Sequence, residues 1–306
     1  MSDFPGASPG TSPAAFPATP RDWFQAARPH TWANAFSPVI VGTGAAAFAG
    51  EWSWVRALLA LVVAWALIVG VNYANDYSDG IRGTDEDRTG PTRLTGGRLA
   101  RPAHVKRAAF IAFGIAGLAG IVLSLLSAWW FILLGAVCIA GAWFYTGGKN
   151  PYGYRGLGEI AVFVFFGLVA VLGTQYTQAG TVTWVGLACA VAIGSISASV
   201  NLANNIRDIP SDTEAGKRTM AVTLGDARSR RLFISLTSIP FLVSALLALA
   251  WWPLAIGVLV APLAYPGIAR VARGAQGGDL IPVLGANGRA MLVWSLVTAA
   301  LLFIGA

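Results

Sequence analysis

The chain has 306 residues, of which 56% are hydrophobic and only 11% are charged, and its net charge is +7. A typical soluble domain has about 25% charged residues. This composition therefore excludes an ordinary soluble globule and a disordered chain, and it predicts a protein that crosses a membrane several times. The two cysteines, Cys138 and Cys189, both lie in apolar stretches, so they predict neither a disulfide framework nor a metal site.

The N-terminal segment has a different composition from the rest. Residues 1–20 contain five prolines, few charges and no apolar core. Such a segment cannot bury enough apolar surface to fold, so we expect a disordered N-terminal tail. Residues 21–306 are then expected to form one transmembrane domain.

The uncharged windows of the sequence predict the number of membrane spans. A membrane helix needs roughly 20 apolar residues. Three windows have the length of one such helix each, and three others are long enough for two helices each. The expected architecture is an all-α membrane protein with nine transmembrane helices. The single windows are residues 29–50, 57–75 and 290–306, and the double windows are residues 108–148, 160–206 and 232–269.

The positive charges predict the orientation of these helices. With nine spans, every Lys and Arg except Arg56 falls on one side of the membrane. Loops rich in Lys and Arg are cytoplasmic, so the N-terminus is expected in the cytoplasm and the C-terminus outside. Tryptophans cluster at the opposite helix ends, as expected for interfacial anchors. The net charge is thus a signal of topology, and nothing in the sequence suggests nucleic-acid binding.

The second and sixth predicted helices both end in clusters of Asn and Asp. The two clusters share the pattern N-x-A-N-x-x-x-D, which begins at Asn72 in the first and at Asn201 in the second. Residues three or four positions apart share one face of a helix, so each helix presents a row of oxygen ligands. The first row is Asn72, Asn75, Asp76 and Asp79, and the second is Asn201, Asn204 or Asn205, Asp208 and Asp212.

Rows made only of oxygen ligands suit Mg²⁺, with Mn²⁺ as a substitute. Mg²⁺ usually takes one or two carboxylates and completes its shell with water and substrate phosphate. Two facing rows are therefore expected to clamp a diphosphate between bound metal ions. Whether Asp79, Asp85 or Asp87 completes the first site stays open at this point. The predicted metal ligands are Asn72, Asp76, Asp79, Asn204, Asp208 and Asp212.

Basic and aromatic residues accompany the acidic rows in the cytoplasmic loops. Guanidinium and ammonium groups neutralise phosphate oxygens. The loop at 145–159 combines glycines and tyrosines with Lys149 and Arg155, which is typical of a segment that closes on a ligand. We interpret Lys149 and the four aspartates of the rows as catalytic. The predicted substrate-binding residues are Asn72, Asn75, Arg82, Arg93, Tyr145, Tyr154, Arg155, Asn204, Asn205, Lys217 and Arg218.

At these motifs the chain resembles the UbiA-type intramembrane aromatic prenyltransferases, in particular their naphthoate-prenylating branch. The matching stretches are Arg-Pro-His-Thr at 28–31, Asn-Tyr-Ala-Asn-Asp-Tyr-Ser-Asp-Gly at 72–80, the 145–159 loop, Asn-Leu-Ala-Asn-Asn-Ile-Arg-Asp at 201–208, and Gly-Lys-Arg-Thr at 216–219. Many relatives write the first motif N-x-x-x-D-x-x-x-D. Here Asn72 and Asp76 fit that pattern, but the next acid is Asp79.

The resemblance implies a reaction and a location. A polyprenyl diphosphate and 1,4-dihydroxy-2-naphthoate would give demethylmenaquinol, CO2 and diphosphate, as a step of menaquinone biosynthesis. By its position in the family pattern, Arg28 would bind the naphthoate carboxylate. The enzyme would lie in the bacterial plasma membrane with its active site facing the cytoplasm.

Two alternatives compete with this interpretation. One is a prenyltransferase of the same fold with another acceptor, namely 4-hydroxybenzoate, homogentisate or a sugar phosphate. The other is a cation or solute transporter. Transporters place polar groups near the membrane midplane, whereas here the acids lie at helix ends and the midplane is nearly free of charge.

Overall fold

The computed structural model describes residues 17–83 and 93–306, and this part of the chain is all-helical, as the sequence predicts. Asp85, Asp87 and most of the predicted tail lie outside the described residues. The helices are α1 (Pro20–Ala26), α2 (Ala33–Phe48), α3 (Trp54–Ile81), α4 (Pro102–Leu125), α5 (Phe131–Phe144), α6 (Gly158–Ala179), α7 (Trp184–Arg207), α8 (Ile209–Glu214), α9 (Met220–Leu224), α10 (Asp226–Leu247), α11 (Trp252–Ala272) and α12 (Ile281–Ile304).

The apolar helices follow the uncharged windows of the sequence. Within the described residues, seven helices are long and apolar enough to cross a membrane, namely α3, α4, α6, α7, α10, α11 and the helical stretch that ends with α12. The apolar helices α2 and α5 are shorter, with 16 and 14 residues. The long windows are divided where turn residues and tryptophans interrupt them, at 126–130, 180–183 and 248–251.

Local sequence signals fix the ends of the two helices that carry the acidic rows. Ser53 caps α3 and Thr183 caps α7, each accepting a hydrogen bond from a backbone N–H of the first turn. Gly180 ends α6 with φ of +67°, a conformation that costs glycine little. These signals start α3 and α7 at one side of the bundle and bring their polar ends to the other side.

Helix α7 is the centre of the bundle. It packs against α2, α6, α10 and α12, and it is more deeply buried than the other long helices. Small residues allow the close approach to α6, since a Cβ at Gly167 would lie only 2.6 Å from Gly194 Cα. Residues Phe163–Leu172 of α6 form a π-helical stretch, a geometry often found beside functional sites.

Candidate active site

The first acidic row lies buried at the end of α3. Asn72, Asn75, Asp76 and Asp79 are each at most 9% exposed. Asp76 accepts hydrogen bonds from the backbone N–H groups of Leu94 and Thr95, both at 2.8 Å, and so holds the segment before α4 against α3. Part of this predicted ligand row therefore also anchors the polypeptide around it.

The two asparagines of this row make contacts of their own. Asn72 donates from Nδ2 to the Ala27 carbonyl at 3.0 Å and to Thr31 Oγ1 at 3.1 Å, which ties the segment before α2 to α3. Asn75 accepts a hydrogen bond from Thr146 Oγ1 at 2.8 Å. The row thus contacts both the segment before α2 and the 145–157 loop.

The second row lies at the end of α7 and on α8. Asp208 receives two hydrogen bonds from the adjacent Arg207, at 2.8 and 2.9 Å, while Asp212 sits one turn further on. Both carboxylates are nearly fully buried. Asn204 donates to its own helix at 3.5 Å, and Asn205 donates to Glu159 at 2.6 Å.

Lys217 joins the two rows. Its Nζ lies 3.9 Å from Asp79 Oδ1 and 4.0 Å from Asp212 Oδ1. Both contacts share one atom, so the two carboxylates face each other across a single positive charge. The ammonium also lies 4.4 Å from the ring centroid of Tyr154, whose hydroxyl donates to Asp79. The structure thus brings Asp79, Tyr154, Asp212 and Lys217 into one cluster.

The other predicted basic residues lie in different environments. Arg82 donates to the carbonyl groups of Thr146 and Gly148 and lies 5.5 Å from the Tyr154 ring centroid. Arg28 is half-buried and adopts a left-handed backbone conformation with φ of 51°. Arg93 is also half-buried, and three of the predicted basic residues are exposed. These three are Lys149, Arg155 and Arg218.

The 145–157 loop lies against both rows through its tyrosines. The Tyr145 hydroxyl donates to Asn201 Oδ1 at 3.3 Å, and the Arg218 backbone N–H donates to the Tyr154 carbonyl at 3.0 Å. Burial, and then the negative charge of Asp79, raise the pKa of the Tyr154 phenol above its usual value. Tyr154 is therefore a neutral hydrogen-bond donor at physiological pH.

An apolar cavity of about 470 Å³ extends between the helices, and asparagines of both rows line it, whereas the four aspartates of the rows do not. Its polar end contains Arg28, Asn72, Asn75, Tyr145, Asn201 and Asn204. The remaining wall is almost entirely aliphatic and aromatic, and it includes Phe165 and Phe166 of the π-helical stretch. The cavity can therefore bind a long apolar chain that carries a polar group at one end.

Among the described residues, no three Asp, Glu, His or Cys side chains converge on one point. The facing pair of Asp79 and Asp212 nevertheless has the donor chemistry of a Mg²⁺ site, and a cationic group already lies between the two carboxylates. Two carboxylates are sufficient for a metal that also takes water and phosphate oxygens. The residues present thus fit a magnesium diphosphate.

Sequence reasoning assigned no role to Glu159, which the structure places within this region. The side chain is 3% exposed and accepts the hydrogen bond from Asn205. Its position could have indicated a functional role, because Glu159 stands at the start of a predicted apolar helix, where a charge is costly to bury.

Comparison with known proteins places this arrangement in context. The model of a family described as the UbiA prenyltransferase family matches residues 35–296. The 1,4-dihydroxy-2-naphthoate octaprenyltransferase of Mycobacterium tuberculosis is 58% identical over 283 residues, which cover 92% of this chain and 97% of the relative. The protein of the same name from Mycobacterium leprae is 54% identical over 280 residues, covering 92% and 95% of the two chains.

A solved structure shows the same fold at low sequence identity. It is a UbiA homologue from Archaeoglobus fulgidus bound to GPP and Mg²⁺, with a TM-score of 0.65 and 15% identity. The match covers 91% of this chain and 99% of the homologue.

Proposed function

Because the chain belongs to the UbiA prenyltransferase family, we propose that it transfers a polyprenyl group from a polyprenyl diphosphate to 1,4-dihydroxy-2-naphthoate, with loss of CO2 and diphosphate. The product is demethylmenaquinol, an intermediate of menaquinone biosynthesis. The observation that carries this proposal is the pair of facing acidic rows whose asparagines line an apolar cavity, in a chain 58% identical to a relative of that name.

The polar cluster binds the diphosphate end of the donor. Asp79 and Asp212 are the first candidates to hold Mg²⁺ or Mn²⁺, with Asp76, Asp208, Asn72 and Asn204 beside them. The bound metal supplies charge that offsets the negative charge of the departing diphosphate. Lys217 and Arg82 lie at the same place and add positive charge toward the phosphate oxygens.

The apolar cavity orients the donor and protects the reacting carbon. The isoprenoid chain lies along the aliphatic wall, and its allylic carbon is held near the polar end, where Tyr145 lines the cavity. As the bond to diphosphate breaks, positive charge on that carbon is stabilised by aromatic faces. The electron-rich ring attacks it, and the carbon–carbon bond to the carboxylate breaks to release CO2. No strong base is needed at the attacked carbon, because CO2 leaves in place of a proton.

The predicted topology supports a site at the cytoplasmic side. Nine spans, counting the shorter α2 and α5, put the acidic rows on the side that carries every Lys and Arg except Arg56. The positive-inside rule then makes that side cytoplasmic. We therefore propose a protein of the bacterial plasma membrane whose N-terminus is cytoplasmic and whose C-terminus is outside.

The test is a prenyl-transfer assay with product identification. The purified protein in detergent is incubated with Mg²⁺, a polyprenyl diphosphate and, in separate reactions, dihydroxynaphthoate, 4-hydroxybenzoate and homogentisate. We expect a decarboxylated prenyl naphthalenediol, detected by its mass. Prenylation of 4-hydroxybenzoate or homogentisate alone would refute the naphthoate assignment.

A further inference from the structure

The buried carboxylate of Glu159 has one oxygen with no assigned task. Oε1 accepts the hydrogen bond from Asn205 Nδ2 at 2.6 Å. Oε2 is buried and has no hydrogen-bond partner within the part of the chain that the structure describes. A buried carboxylate oxygen without a donor costs free energy. Such an atom is expected where a ligand supplies the missing donor.

A complementary donor lies beside it. The Tyr145 hydroxyl donates to Asn201 Oδ1, which leaves the Asn201 amide nitrogen as the free end of that side chain. This Nδ2 lies near the Glu159 carboxylate, but it is buried without a hydrogen bond of ordinary geometry to any of residues 17–83 and 93–306. Tyr145 and Asn201 both line the cavity at its polar end. An acceptor and a donor that lack hydrogen bonds of ordinary geometry therefore lie close to each other, Asn201 as part of the cavity wall and Glu159 outside the residues that line it.

The close packing of Gly158 shows how near these groups are to one another. A Cβ at this position would lie 3.1 Å from Asn201 Nδ2 and 3.1 Å from the Tyr145 hydroxyl oxygen. Glu159 is the next residue in the chain, and its negative charge adds to burial in raising the pKa of the Tyr145 phenol. Glu159, Tyr145 and Asn201 thus form one polar group, which we call the Glu159 cluster.

The chemistry of the Glu159 cluster selects among the substrates. An isoprenoid chain offers no hydrogen bond to either atom, and an ionised diphosphate has no hydrogen to donate to the Glu159 carboxylate. A hydroxylated aromatic ring satisfies both atoms, because its hydroxyl donates to the carboxylate while a neighbouring oxygen accepts from the amide. We propose that the Glu159 cluster binds the hydroxyl-bearing edge of the aromatic acceptor. This inference rests on the proposed function and names the residues that recognise the acceptor.

The first experiment separates the two substrates kinetically. In the Glu159→Gln variant, the KM for dihydroxynaphthoate should rise about 10-fold or more, the effect of one lost charge-assisted hydrogen bond. The KM for the polyprenyl diphosphate should change less than about 2-fold, since that substrate does not contact the carboxylate. Glu51→Gln, at an exposed position between α2 and α3, is the matched control. Equal increases of both KM values, or none, would overturn the proposal.

The second experiment tests whether Glu159 accepts a hydrogen bond from a hydroxyl group of the acceptor. Inhibition constants are measured for dihydroxynaphthoate analogues that lack either the 1-hydroxyl or the 4-hydroxyl, against the wild type and Glu159→Gln. In the wild type one analogue should bind about 10-fold more weakly than the other, and in the variant this difference should shrink to less than about 3-fold. Discrimination that persists in the variant contradicts the proposal, since a bridging water or a purely structural carboxylate would leave it intact.

Gly158→Ala provides an independent approach to the same cluster, because its methyl group is directed at Asn201 and Tyr145 without removing a charge. It should weaken the binding of the acceptor more than the binding of the donor, as Glu159→Gln does, and the opposite order would contradict the proposal.

The wild-type reaction shows whether the proposed function or only the role of the Glu159 cluster fails. Absence of prenylated naphthalenediol from wild-type enzyme refutes the proposed function. An active wild type with unaltered acceptor recognition in the variants refutes only the role of the Glu159 cluster.

Discussion

Lys217 contacts Asp79 at 3.9 Å although the two residues lie far apart in the chain. Asp79 lies in the last turn of the helix that carries the first acidic row, and Lys217 follows the second row. The contact therefore links the end of α3 to the segment that follows α8 at the polar end of the bundle. Because Asp212 lies 4.0 Å from the same ammonium, a change at Lys217 alters the electrostatics of both rows together.

Lys217→Met should weaken the binding of the donor more than that of the acceptor. The substitution keeps the length of the side chain and removes the positive charge between two buried carboxylates. We expect the KM for the polyprenyl diphosphate to rise about 10- to 100-fold. Arg228→Met, at an exposed position on α10, is the control and should be near neutral. Unchanged donor kinetics would exclude Lys217 from the diphosphate site.

Removal of divalent metal should abolish turnover. Every proposed ligand is a hard oxygen, so Mg²⁺ or Mn²⁺ added after excess EDTA should restore the rate, whereas Zn²⁺ should restore it poorly. The measurement is initial rate against free metal concentration in detergent. Full activity in excess chelator would contradict the metal-assisted departure of diphosphate.

Substitution of the acidic rows should lower the rate by more than about 100-fold. Asp79→Asn and Asp212→Asn each remove a carboxylate from the facing pair without changing the shape of the side chain. Asp226→Asn is the control, since that carboxylate is half exposed and pairs with Arg230 at 2.7 Å outside both rows. Rates near that of the wild type for both Asp79→Asn and Asp212→Asn would mean that these buried acids have only a structural role.

Asp76→Ala should affect the structure as well as the rate. It leaves the Leu94 and Thr95 backbone N–H groups without their acceptor, at a cost of about 1–3 kcal/mol. Trypsin should then cleave faster at the exposed Arg98, which can be followed by mass spectrometry. Asp212→Ala is the comparison and should leave this cleavage unchanged. Equal protection in both variants would argue against the anchoring role of Asp76.

The carboxyl group of the acceptor should leave once in every turnover. With carboxyl-labelled dihydroxynaphthoate, release of labelled CO2 should match release of diphosphate one to one, because the carbon–carbon bond to the prenyl group forms at the carboxylated position. Both products are measured in the same reaction. A prenylated product that keeps its label would indicate attack at another carbon.

The helical framework could be predicted from the sequence because of one strong physical constraint. A charge in the apolar part of a membrane is costly, so each uncharged window overlaps one or two apolar helices, although α3, α10 and α12 extend into the charged flanks. The length of the window at residues 160–206 also predicts two helices, and the structure divides it into α6 and α7 near Gly180. The two rows could be placed on α3 and α7 for the same reason, since residues three or four apart share a face of a helix.

The partners of individual polar side chains could not be predicted in this way. Asp76 meets Leu94 and Thr95, and Glu159 meets Asn205 far along the chain. Such contacts depend on how loops fold back onto helices, which no local spacing encodes. The sequence predicts a catalytic role for Lys149 and a substrate-binding role for Lys217. The structure separates them, because Lys149 is exposed and Lys217 is buried between two carboxylates.

The contact of Asn72 with the N-terminal segment has a consequence for engineering. Asn72 holds Ala27 and Thr31, and the hydroxyl of the neighbouring Tyr73 donates to the Trp23 carbonyl at 3.0 Å. Residues 20–31 and helix α3 therefore form a single exchangeable module. A chimaera that takes α3 from a relative should take residues 20–31 from the same parent, because a mixed pair would lose hydrogen bonds between α3 and this segment.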